Sequence, residues 1–365
     1  MRIAVVAPYD LSTAGGVNSQ IRAQAAALRR RGHAIQIFGP ASGVLSDNER
    51  TLGRTLTVTV SGTESGLGVD PRAIWTIAGM RRESFDVIHV HEPMTPFVPW
   101  LVLLQSRAPL VGTFHVYREE GHRLYAASSW ALRPLARRLR ARIAVSDAAR
   151  RTVEPYFPGP YDIVPNGIDI DRFQVPRPKP PVFSDDRPHV LYVGRLEPRK
   201  GVEYLIRAMA TVQRAVPGAA LVVVGDGQER APLAALARDQ GTVVHFAGRV
   251  SDEELPAYFQ AADIMCSPAL RGESFGIVLL EAMACGTPVV ATRIDGYAGL
   301  VGTSGAAHLV APGDSDALAR ELVELLQAPD QRRMMGERGA MAARAYDWAG
   351  IGERLESIYR RVSHV

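Results

Sequence analysis

An alternation of short apolar runs with longer helical stretches is the feature that most constrains the fold. The run at residues 3–7 is continuously apolar, as expected for a strand that is buried on both faces of a parallel sheet. A glycine turn and a helical stretch to about Arg31 follow, before a second apolar run at residues 35–38. The same pattern returns at residues 86–90, 110–114 and 143–145. Repeated strand, helix and strand predict a doubly wound α/β sheet.

A proline-rich segment interrupts this alternation in the middle of the chain. Residues 175–188 contain five prolines, which lack backbone donors and disfavour helix, so we interpret the segment as a linker. Further strands are predicted at residues 189–193, 221–224, 243–246, 264–266 and 288–291. The chain therefore predicts two Rossmann-type domains in tandem, in which ligands bind beyond the carboxyl ends of the strands. Two facing domains would place that crevice between them.

Composition excludes several classes of protein. The chain is 47% hydrophobic and 22% charged, as in globular proteins, and no stretch approaches the ~18 uninterrupted apolar residues of a membrane span. The first residues have too short an apolar run for a signal peptide, and two cysteines are too few for a disulfide framework, so we expect a cytosolic protein. Residues 1–182 hold 23 basic and 15 acidic residues, whereas residues 183–365 hold 19 and 23. This asymmetry indicates an anionic partner for the first half.

The strongest candidate motif is a glycine-containing loop that runs into a helix over residues 272–281. Gly276 lets a ligand approach the backbone, and the amides of residues 275–277 stand at the helix start, where they suit an anion or sugar hydroxyls. Glu273 and Glu281 are eight residues apart, slightly over two helical turns, and two carboxylates that face one pocket can accept hydrogen bonds from a sugar. The alternative is a pair of solvent-exposed glutamates on an amphipathic helix.

Two further loops follow predicted strands. Arg195 and Lys200 lie between an apolar strand and a helix, where a guanidinium fork and an ammonium can clamp a diphosphate. Lys200 is one of only two lysines, against 40 arginines, which makes it chemically distinctive. The alternative for this loop is an ordinary basic loop. Gly15 and Gly16 follow the first strand and could bring backbone amides against a phosphate, although Gly-Gly turns are common.

Acidic and histidine pairs do not predict a metal site. Asp-x-Asp occurs at residues 169–171, in the predicted interdomain loop, and at residues 314–316, where an Asp at a helix start satisfies backbone amides. His89 and His91 could suggest zinc. We expect their side chains to point to opposite faces of a strand, and no third ligand is spaced to join them.

Together these motifs resemble the retaining family 4 glycosyltransferases of GT-B fold, over essentially the whole chain. The resemblance is carried by Pro8-Tyr9, Gly15-Gly16-Val17, residues 89–93, Thr113-Phe114-His115, residues 143–147, residues 165–169, residues 194–201, Gly225-Asp226-Gly227 and residues 272–290. The likeness is greatest to the bacterial phosphatidylinositol α-mannosyltransferases. It implies an α/β fold with two Rossmann-like domains facing across a cleft: an acceptor domain at residues 1–166, a donor domain at residues 167–346, and an amphipathic C-terminal segment, residues 347–365, that crosses back to the first domain.

The resemblance also implies roles for individual residues. The catalytic residues would be His115 under the sugar, Arg195 and Lys200 on the diphosphate, and Glu273 on the hexose. The donor-binding residues would be Gly15, Gly16, Gly194, Arg249, Val250, Ser274, Phe275, Gly276, Ile277 and Glu281, the last on the ribose. The acceptor-binding residues would be Tyr9 and Asn18. No dedicated nucleophile is evident, so we expect same-face attack with retention, the donor phosphate assisting deprotonation of the acceptor.

Arginines of the first half predict contact with an anionic membrane surface. A continuous helix over residues 130–142 would stack Leu135 on Leu139 and place Arg133, Arg137 and Arg140 on another face. The predicted membrane residues are Arg81, Arg82, Arg133, Arg137, Arg138 and Arg140. The alternative is a solvated face on a helix that packs into its own domain. The phosphatidylinositol mannosyltransferases carry a more basic helix where this chain has residues 71–84.

The predicted function is transfer of a hexose, with mannose from GDP-mannose favoured, to phosphatidylinositol or a related lipid at the cytoplasmic membrane face. We expect a peripheral enzyme that needs no metal or cofactor and binds no nucleic acid. One alternative is the same chemistry with a UDP-sugar donor and a soluble or glycan acceptor. Another is a non-catalytic nucleotide-binding or membrane scaffold, which is disfavoured because a scaffold has no chemical need for the whole residue set. The sequence leaves the oligomeric state open.

Overall fold

The computed structural model describes residues 1–13, 15–60, 63–68, 70, 73–80, 82–119, 121–302 and 304–363. The chain divides into two units: Met1–Gly167 together with Trp348–Val365 form unit 1, and Ile168–Asp347 form unit 2. Each unit contains a parallel sheet with helices in its connections, which confirms the predicted α/β class with two Rossmann-like domains.

Unit 1 begins with strands and helices in alternation. Its strands are β1 (Arg2–Val6), β2 (Ala34–Gly39), β3 (Glu49–Thr51), β4 (Thr55–Val60), β5 (Thr63–Gly68), β6 (Val87–His91), β7 (Leu110–Phe114), β8 (Leu139–Ala144) and β9 (Asp162–Ile163). Its helices before residue 168 are α1 (Gly16–Arg30), α2 (Ala73–Met80), α3 (Val98–Gln105), α4 (Arg123–Ala136) and α5 (Asp147–Val153). The parallel sheet has the order β3-β2-β1-β6-β7-β8-β9, and β4 pairs antiparallel with β5.

Unit 2 repeats this plan with its own sheet. Its strands are β10 (His189–Val193), β11 (Ala220–Val224), β12 (Val244–Gly248), β13 (Ile264–Ser267), β14 (Val289–Thr292) and β15 (Ala307–Val310). Its helices are α6 (Ile170–Gln174), α7 (Val202–Ala215), α8 (Arg230–Asp239), α9 (Leu255–Ala261), α10 (Ile277–Ala284), α11 (Asp295–Val301), α12 (Ser315–Gln327) and α13 (Pro329–Ala343). Short 3-10 turns occur at Pro181–Phe183, Pro198–Lys200 and Arg344–Tyr346. The strands lie in the order β12-β11-β10-β13-β14-β15, all parallel.

The last helix, α14 (Trp348–Ser363), belongs to unit 1, as predicted. Its apolar side chains pack into the same cluster as β1 and α1; these are Trp348, Ile351, Leu355, Ile358, Tyr359 and Val362. The 3.6-residue period of the helix places most of them on one face, in agreement with the packing that the family resemblance implied. A salt bridge of 2.7 Å between Arg31 and Glu356 joins α1 to α14.

The proline-rich segment at residues 175–188 is not a linker between the two units. It lies within unit 2, and Phe183 is buried there, with its ring edge-on to those of His189 and Tyr258. Proline prevents regular structure but does not prevent packing, and a single large apolar side chain fixes this segment on the core.

The predicted continuous helix over residues 130–142 is also wrong. Helix α4 ends at Ala136, two residues after Pro134, and β8 begins at Leu139. The residues from Leu139 onward alternate between apolar and basic, and Leu139, Ala141 and Ile143 are buried. This period of two is typical of a strand, and Arg140 therefore lies on β8 and not on a helix with Arg133.

None of the helices built by the described residues is long and apolar enough to cross a membrane.

Candidate active site

Two loops of unit 2 meet where the strand order of its sheet reverses. From β10 the chain runs to β11 and β12 on one side, and then to β13, β14 and β15 on the other. The loops after β10 and β13 therefore leave the same edge of the sheet next to each other, which is where ligands bind in such sheets. A backbone hydrogen bond of 2.8 Å from the Leu270 amide to the Arg199 carbonyl joins them.

Charged side chains of these loops form a connected network. Oε1 of Glu273 accepts hydrogen bonds from Arg199 at 2.5 Å and from Lys200 Nζ at 2.9 Å. Glu197 accepts from Arg199 at 2.9 Å and pairs with Arg195 at 2.8 Å. Glu273 and Lys200 are largely buried, whereas half of the Arg195 side chain is exposed. The network therefore presents positive charge at the sheet edge and holds it with two carboxylates.

The protonation state of Glu273 follows from its partners. Burial raises the pKa of this carboxyl, but the charges of Lys200 and Arg199 and their hydrogen bonds outweigh burial, and the net shift of the pKa is downward. Glu273 is thus a carboxylate at neutral pH, in contact with two cations.

The backbone of the loop after β13 lies close to α11. A Cβ atom at Gly296 would stand 2.0 Å from the Glu273 carbonyl oxygen, so only glycine permits this approach. Gly276 has a φ of +89° and precedes the first residue of α10, Ile277. Phe275 is buried, with its ring edge-on to Tyr346. These contacts fix the amides of residues 275–277 at the start of α10, next to the charged network.

Glu281 lies one turn into α10 and is partly exposed. Among the described residues no hydrogen bond or ion pair reaches its carboxyl group. Burial raises the pKa of Glu281 to about 8, while the charge of Arg172 lowers it and that of Asp252 raises it. Glu273 and Glu281 thus lie on the same loop-and-helix unit in opposite states: one is an ion-paired carboxylate and the other is mostly a neutral acid at pH 7.

The loop after β12 carries Arg249, which is exposed, and Val250, which packs against the core of unit 2. Ser251 and Glu254 fix this loop reciprocally. The Ser251 amide donates to Glu254 Oε2 at 3.1 Å, and the Glu254 amide donates to Ser251 Oγ at 3.2 Å, which is a capping box at the start of α9.

In unit 1, Gly15 and Gly16 lie at the start of α1. No described atom lies within 4 Å of a Cβ built at either glycine. The packing of the described residues therefore does not demand glycine at these two positions.

The predicted acceptor residues lie on each side of that turn. Asn18 is buried, and its Nδ2 donates to the carbonyls of Asp10 and Thr13 at 2.7 and 3.1 Å. These bonds fix the conformation of the loop after β1. Tyr9 is half-buried, and burial together with the nearby Glu92 raises the pKa of its hydroxyl.

His115 lies immediately after β7 and is buried next to two other histidines. His115 Nε2 lies 2.8 Å from His91 Nδ1, and the ring of His91 stacks on that of His89 with centroids 4.5 Å apart. The expectation that His89 and His91 point to opposite faces is wrong, because residues two apart on a strand share a face. Burial lowers the pKa of His89 to about 3 and that of His115 to about 4, so these rings are neutral at pH 7.

The described part of the chain contains no group of three or more His, Cys, Asp or Glu side chains suited to a metal ion. The two Asp-x-Asp segments cap helices. Asp169 accepts from the Arg172 amide at 3.3 Å, and Asp314 accepts from the Ala317 amide at 2.8 Å.

The predicted membrane residues do not form one helical face. Arg133 donates to the Tyr156 carbonyl at 3.1 Å, and Arg138 donates to the carbonyls of Leu104 and Ser106 at 2.6 and 2.7 Å, at the end of α3. Arg140, on β8, donates to the Val362 carbonyl at 2.9 Å. Arg82 and Arg137 are exposed, and Arg81 lies outside the described residues. Arg138 and Arg140 therefore bind the C-termini of α3 and α14 in their own unit.

Sequence reasoning did not assign roles to Arg199 and Glu197, which complete the charged network. Both lie in the motif at residues 194–201. Roles were predicted for their partners Glu273 and Arg195, but the contacts between these residues were not predicted. The only indication in the sequence was the high density of charged residues in this motif. A link to a loop more than 70 residues away depends on the strand order, which local sequence does not express.

Family models match both halves of the chain. Residues 14–172 match "Glycosyltransferase Family 4", and residues 177–341 match "Glycosyl transferases group 1". The solved structure of sucrose-phosphate synthase from Thermosynechococcus elongatus covers 99% of this chain, and 98% of its own length is matched, at a TM-score of 0.78 and 25% identity.

Two curated relatives are similar in sequence. The phosphatidyl-myo-inositol mannosyltransferase of Mycobacterium leprae is 34% identical over 371 residues, which cover 100% of this chain and 97% of that protein. A GDP-mannose-dependent monoacylated alpha-(1-6)-phosphatidylinositol monomannoside mannosyltransferase of Corynebacterium glutamicum is 38% identical over 212 residues, 54% of this chain and 55% of that one. The chain therefore belongs to the GT-B glycosyltransferase family that contains the actinobacterial phosphatidyl-myo-inositol mannosyltransferases.

Proposed function

We propose that this glycosyltransferase moves a mannosyl group from GDP-mannose to phosphatidylinositol or a related lipid, with retention of the anomeric configuration. The observation that carries the proposal is the contact of Glu273 with Lys200 and Arg199 at the point where the strand order of unit 2 reverses. The names of the two curated relatives support mannose as the sugar and phosphatidylinositol as the acceptor class, and one of these names supports GDP-mannose as the donor.

The charged network suits a diphosphate leaving group. Cleavage of the bond between the sugar and the diphosphate builds positive charge on the sugar and negative charge on the diphosphate. Arg195 and Lys200 would hold the diphosphate, and each such charge-assisted hydrogen bond is worth roughly 1.5–3 kcal/mol. Because carboxylates already hold these cations in place, little reorganisation is needed when charge develops.

Glu273 and Glu281 would take different parts of the donor. Once the diphosphate shares Lys200, the carboxylate of Glu273 can accept hydrogen bonds from hexose hydroxyls, together with the amides of residues 275–277. Glu281 in its neutral form both donates and accepts hydrogen bonds, which suits the neighbouring hydroxyls of a ribose. The backbone around residues 249–253 would read the base, and the Gly16 amide would donate to a phosphate.

We propose same-face attack by the acceptor hydroxyl, in which a donor phosphate oxygen takes the acceptor proton. The neutral His115 ring would lie under the hexose near its C6 hydroxyl. Tyr9 and Asn18 belong to the segment next to Gly16 and would lie at the acceptor site. Asn18 would act there by holding the loop from Asp10 to Thr13 in place.

We propose peripheral attachment of unit 1 to the cytoplasmic membrane face. Helices α2 and α4 expose Trp75 and Trp130, which are 80% and 77% accessible, and Arg82 and Arg137 are exposed on the same unit. Indole rings together with cationic side chains are typical of proteins that bind at the interface of anionic membranes.

The test is a transfer assay with a panel of GDP- and UDP-sugars and vesicles that contain phosphatidylinositol. We expect transfer from GDP-mannose alone and an α-linked product, identified by the anomeric proton in NMR. Transfer from a UDP-sugar only, or to soluble glycans only, would overturn the donor or the acceptor assignment, and a β-linked product would overturn retention. Nucleotide binding without any transfer would indicate a scaffold. Arg195→Ala should abolish transfer, whereas Arg214→Ala, an exposed arginine at the end of α7, should not.

A further inference from the structure

The end of β6 holds both the ring and the backbone of His115. His91 Nδ1 lies 2.8 Å from His115 Nε2. The next residue, Glu92, accepts hydrogen bonds through Oε1 from the amides of His115 and Val116 at 2.5 and 2.7 Å. Glu92 adopts a φ of +45°, which a non-glycine residue seldom takes. Two consecutive residues thus act on the same histidine from different sides.

On the ring face of His91 that stacks on His89, a network of hydrogen bonds holds His89 in place. The ring of His91 stacks on His89, whose Nδ1 lies 2.6 Å from the Tyr359 hydroxyl and 3.0 Å from Gln24 Nε2. The amide nitrogen of Gln24 can only donate, so Nδ1 of His89 accepts, and its Nε2 donates to Thr113 Oγ1 at 2.6 Å. These bonds fix the tautomer and the orientation of His89, and through stacking they limit rotation of His91.

His91 itself has no room beside it for a sugar. It is 1% exposed, and the cavity that it lines with His115, Gln20, Asn166 and Trp348 has a volume of about 20 Å³. Such a volume suits one water molecule and is far too small for a hexose. Nε2 of His91 is buried without a hydrogen-bond partner among the described side chains and backbone groups. Any effect of His91 on a bound sugar must therefore pass through His115.

The contact between the two rings couples the tautomer of His115 to that of His91. Burial lowers the pKa of both histidines, that of His115 to about 4, so two neutral rings share one hydrogen between Nδ1 and Nε2. If His91 donates, His115 must carry its own hydrogen on Nδ1; if His115 donates, its Nδ1 is an acceptor. In either case Nδ1 of His115, which takes no part in the contact with His91, is only a donor or only an acceptor toward a ligand.

We propose that His91 is a positioning residue for this glycosyltransferase, which fixes the rotation and the tautomer of His115 so that one ring nitrogen is presented to the hexose. The inference rests on the proposed role of His115 at the sugar. It adds a residue that does not contact the substrate but sets the geometry of one that does.

The test compares three substitutions of His91 by steady-state kinetics in the full chain. His91→Ala should lower kcat by about 10–100-fold and leave the KM for GDP-mannose within about threefold, because the donor diphosphate is held elsewhere. His91→Asn places an amide near the position of Nδ1 and should restore most of the activity. His91→Gln places its amide near Nε2 and should not. If His91→Ala fails to fold, the comparison of Asn with Gln still decides the question.

Two controls separate positioning from stability. Thr287→Val removes a buried hydrogen bond to the Phe259 carbonyl in unit 2 and leaves the histidine rings of unit 1 unchanged, so it should lower the Tm and leave kcat within about twofold. Imidazole ¹⁵N NMR should show one tautomer of His115 in the wild type and a mixture in His91→Ala. Equal kcat in folded His91→Ala and wild type, with His115→Ala inactive, would overturn this inference alone. An active His115→Ala would overturn the proposed role of His115, and this inference with it.

Discussion

Nζ of Lys200 lies 2.9 Å from Oε1 of Glu273, although the two residues are 73 positions apart in the chain. The same oxygen accepts from Arg199, so one carboxylate joins two cations. They meet because β10 and β13 are neighbours in the sheet and their loops leave the same edge. In the proposed reaction the diphosphate must share Lys200 with Glu273, so binding of the leaving group is coupled to binding of the sugar.

Glu273→Gln should damage both stability and turnover. The amide removes the charge, so that the largely buried Lys200 loses its carboxylate and Arg199 keeps only Glu197, and we expect a loss of ~1–3 kcal/mol in the free energy of unfolding. Transfer should fall at least ~100-fold, since the hexose loses a charged acceptor. Denaturant unfolding and initial rates measure the two effects. The matched control is Glu203→Gln on α7, which is half-exposed and 4.0 Å from Arg207, and which should change stability by less than ~0.5 kcal/mol. Wild-type transfer by folded Glu273→Gln would contradict the assignment.

Gly16→Ala and Gly276→Ala should have opposite effects on stability. Gly16 has helical geometry and open space around it, so alanine should stabilise α1 by ~0.5–1 kcal/mol while its methyl group hinders the donor and raises the KM for GDP-mannose. At Gly276 a Cβ would stand 2.7 Å from the Tyr297 ring at a φ of +89°, so alanine should destabilise the protein by ~1–3 kcal/mol. Thermal melts and donor titrations test the pair. An unchanged KM in Gly16→Ala would argue against a phosphate at this amide.

Glu281 should make stability fall as the pH rises. Its pKa is raised from 4.5 to about 8 in the folded chain, so between these values the folded state binds more protons than the unfolded state. The stability that it contributes is fully present below pH 4.5 and is lost as the pH rises through about 8. Glu281→Gln removes this titration, so its Tm should rise relative to that of the wild type between pH 5 and pH 8. Glu253→Gln, at an exposed position, is the control and should follow the wild type. Parallel curves for Glu281→Gln and wild type would contradict the shifted pKa.

Removal of Trp75 and Trp130 should weaken membrane binding. Each indole is largely exposed on unit 1, and loss of its burial at the interface should lower partitioning into phosphatidylinositol-containing vesicles by about tenfold. Flotation of each alanine variant measures the effect. Met341→Ala on α13 of unit 2 removes a side chain of similar exposure, 74%, and should leave flotation unchanged. Equal recruitment of the wild type to neutral and anionic vesicles would argue against a role for the arginines.

Transfer should survive excess EDTA. In the proposed mechanism Arg195 and Lys200 supply the positive charge that a divalent cation would otherwise bring to the diphosphate. The measurement is the initial rate with and without the chelator, with added Mg²⁺ as the control. Complete loss of transfer that Mg²⁺ restores would require a metal ion in the mechanism.

The sequence by itself determined the local elements. The predicted runs at residues 110–114 and 189–193 coincide with β7 and β10, because strands buried on both faces are mostly apolar. Likewise the 3.6-residue pattern after Trp348 predicted the apolar face of α14. Local steric and burial requirements depend on neighbouring residues, so the pattern of one chain predicts most such elements, although it did not predict the end of α4 at Ala136.

Only the tertiary structure decided which distant side chains meet. The contact of Arg199 with Glu273, the stacking of His89, His91 and His115, and the place of Arg140 on β8 follow from strand order and register. These are set by the packing of whole sheets, in which the free energy of burial is shared among many residues and no short motif encodes it. The residue types at the candidate site were therefore visible in the sequence, while the partners that fix their charge, tautomer and orientation were not.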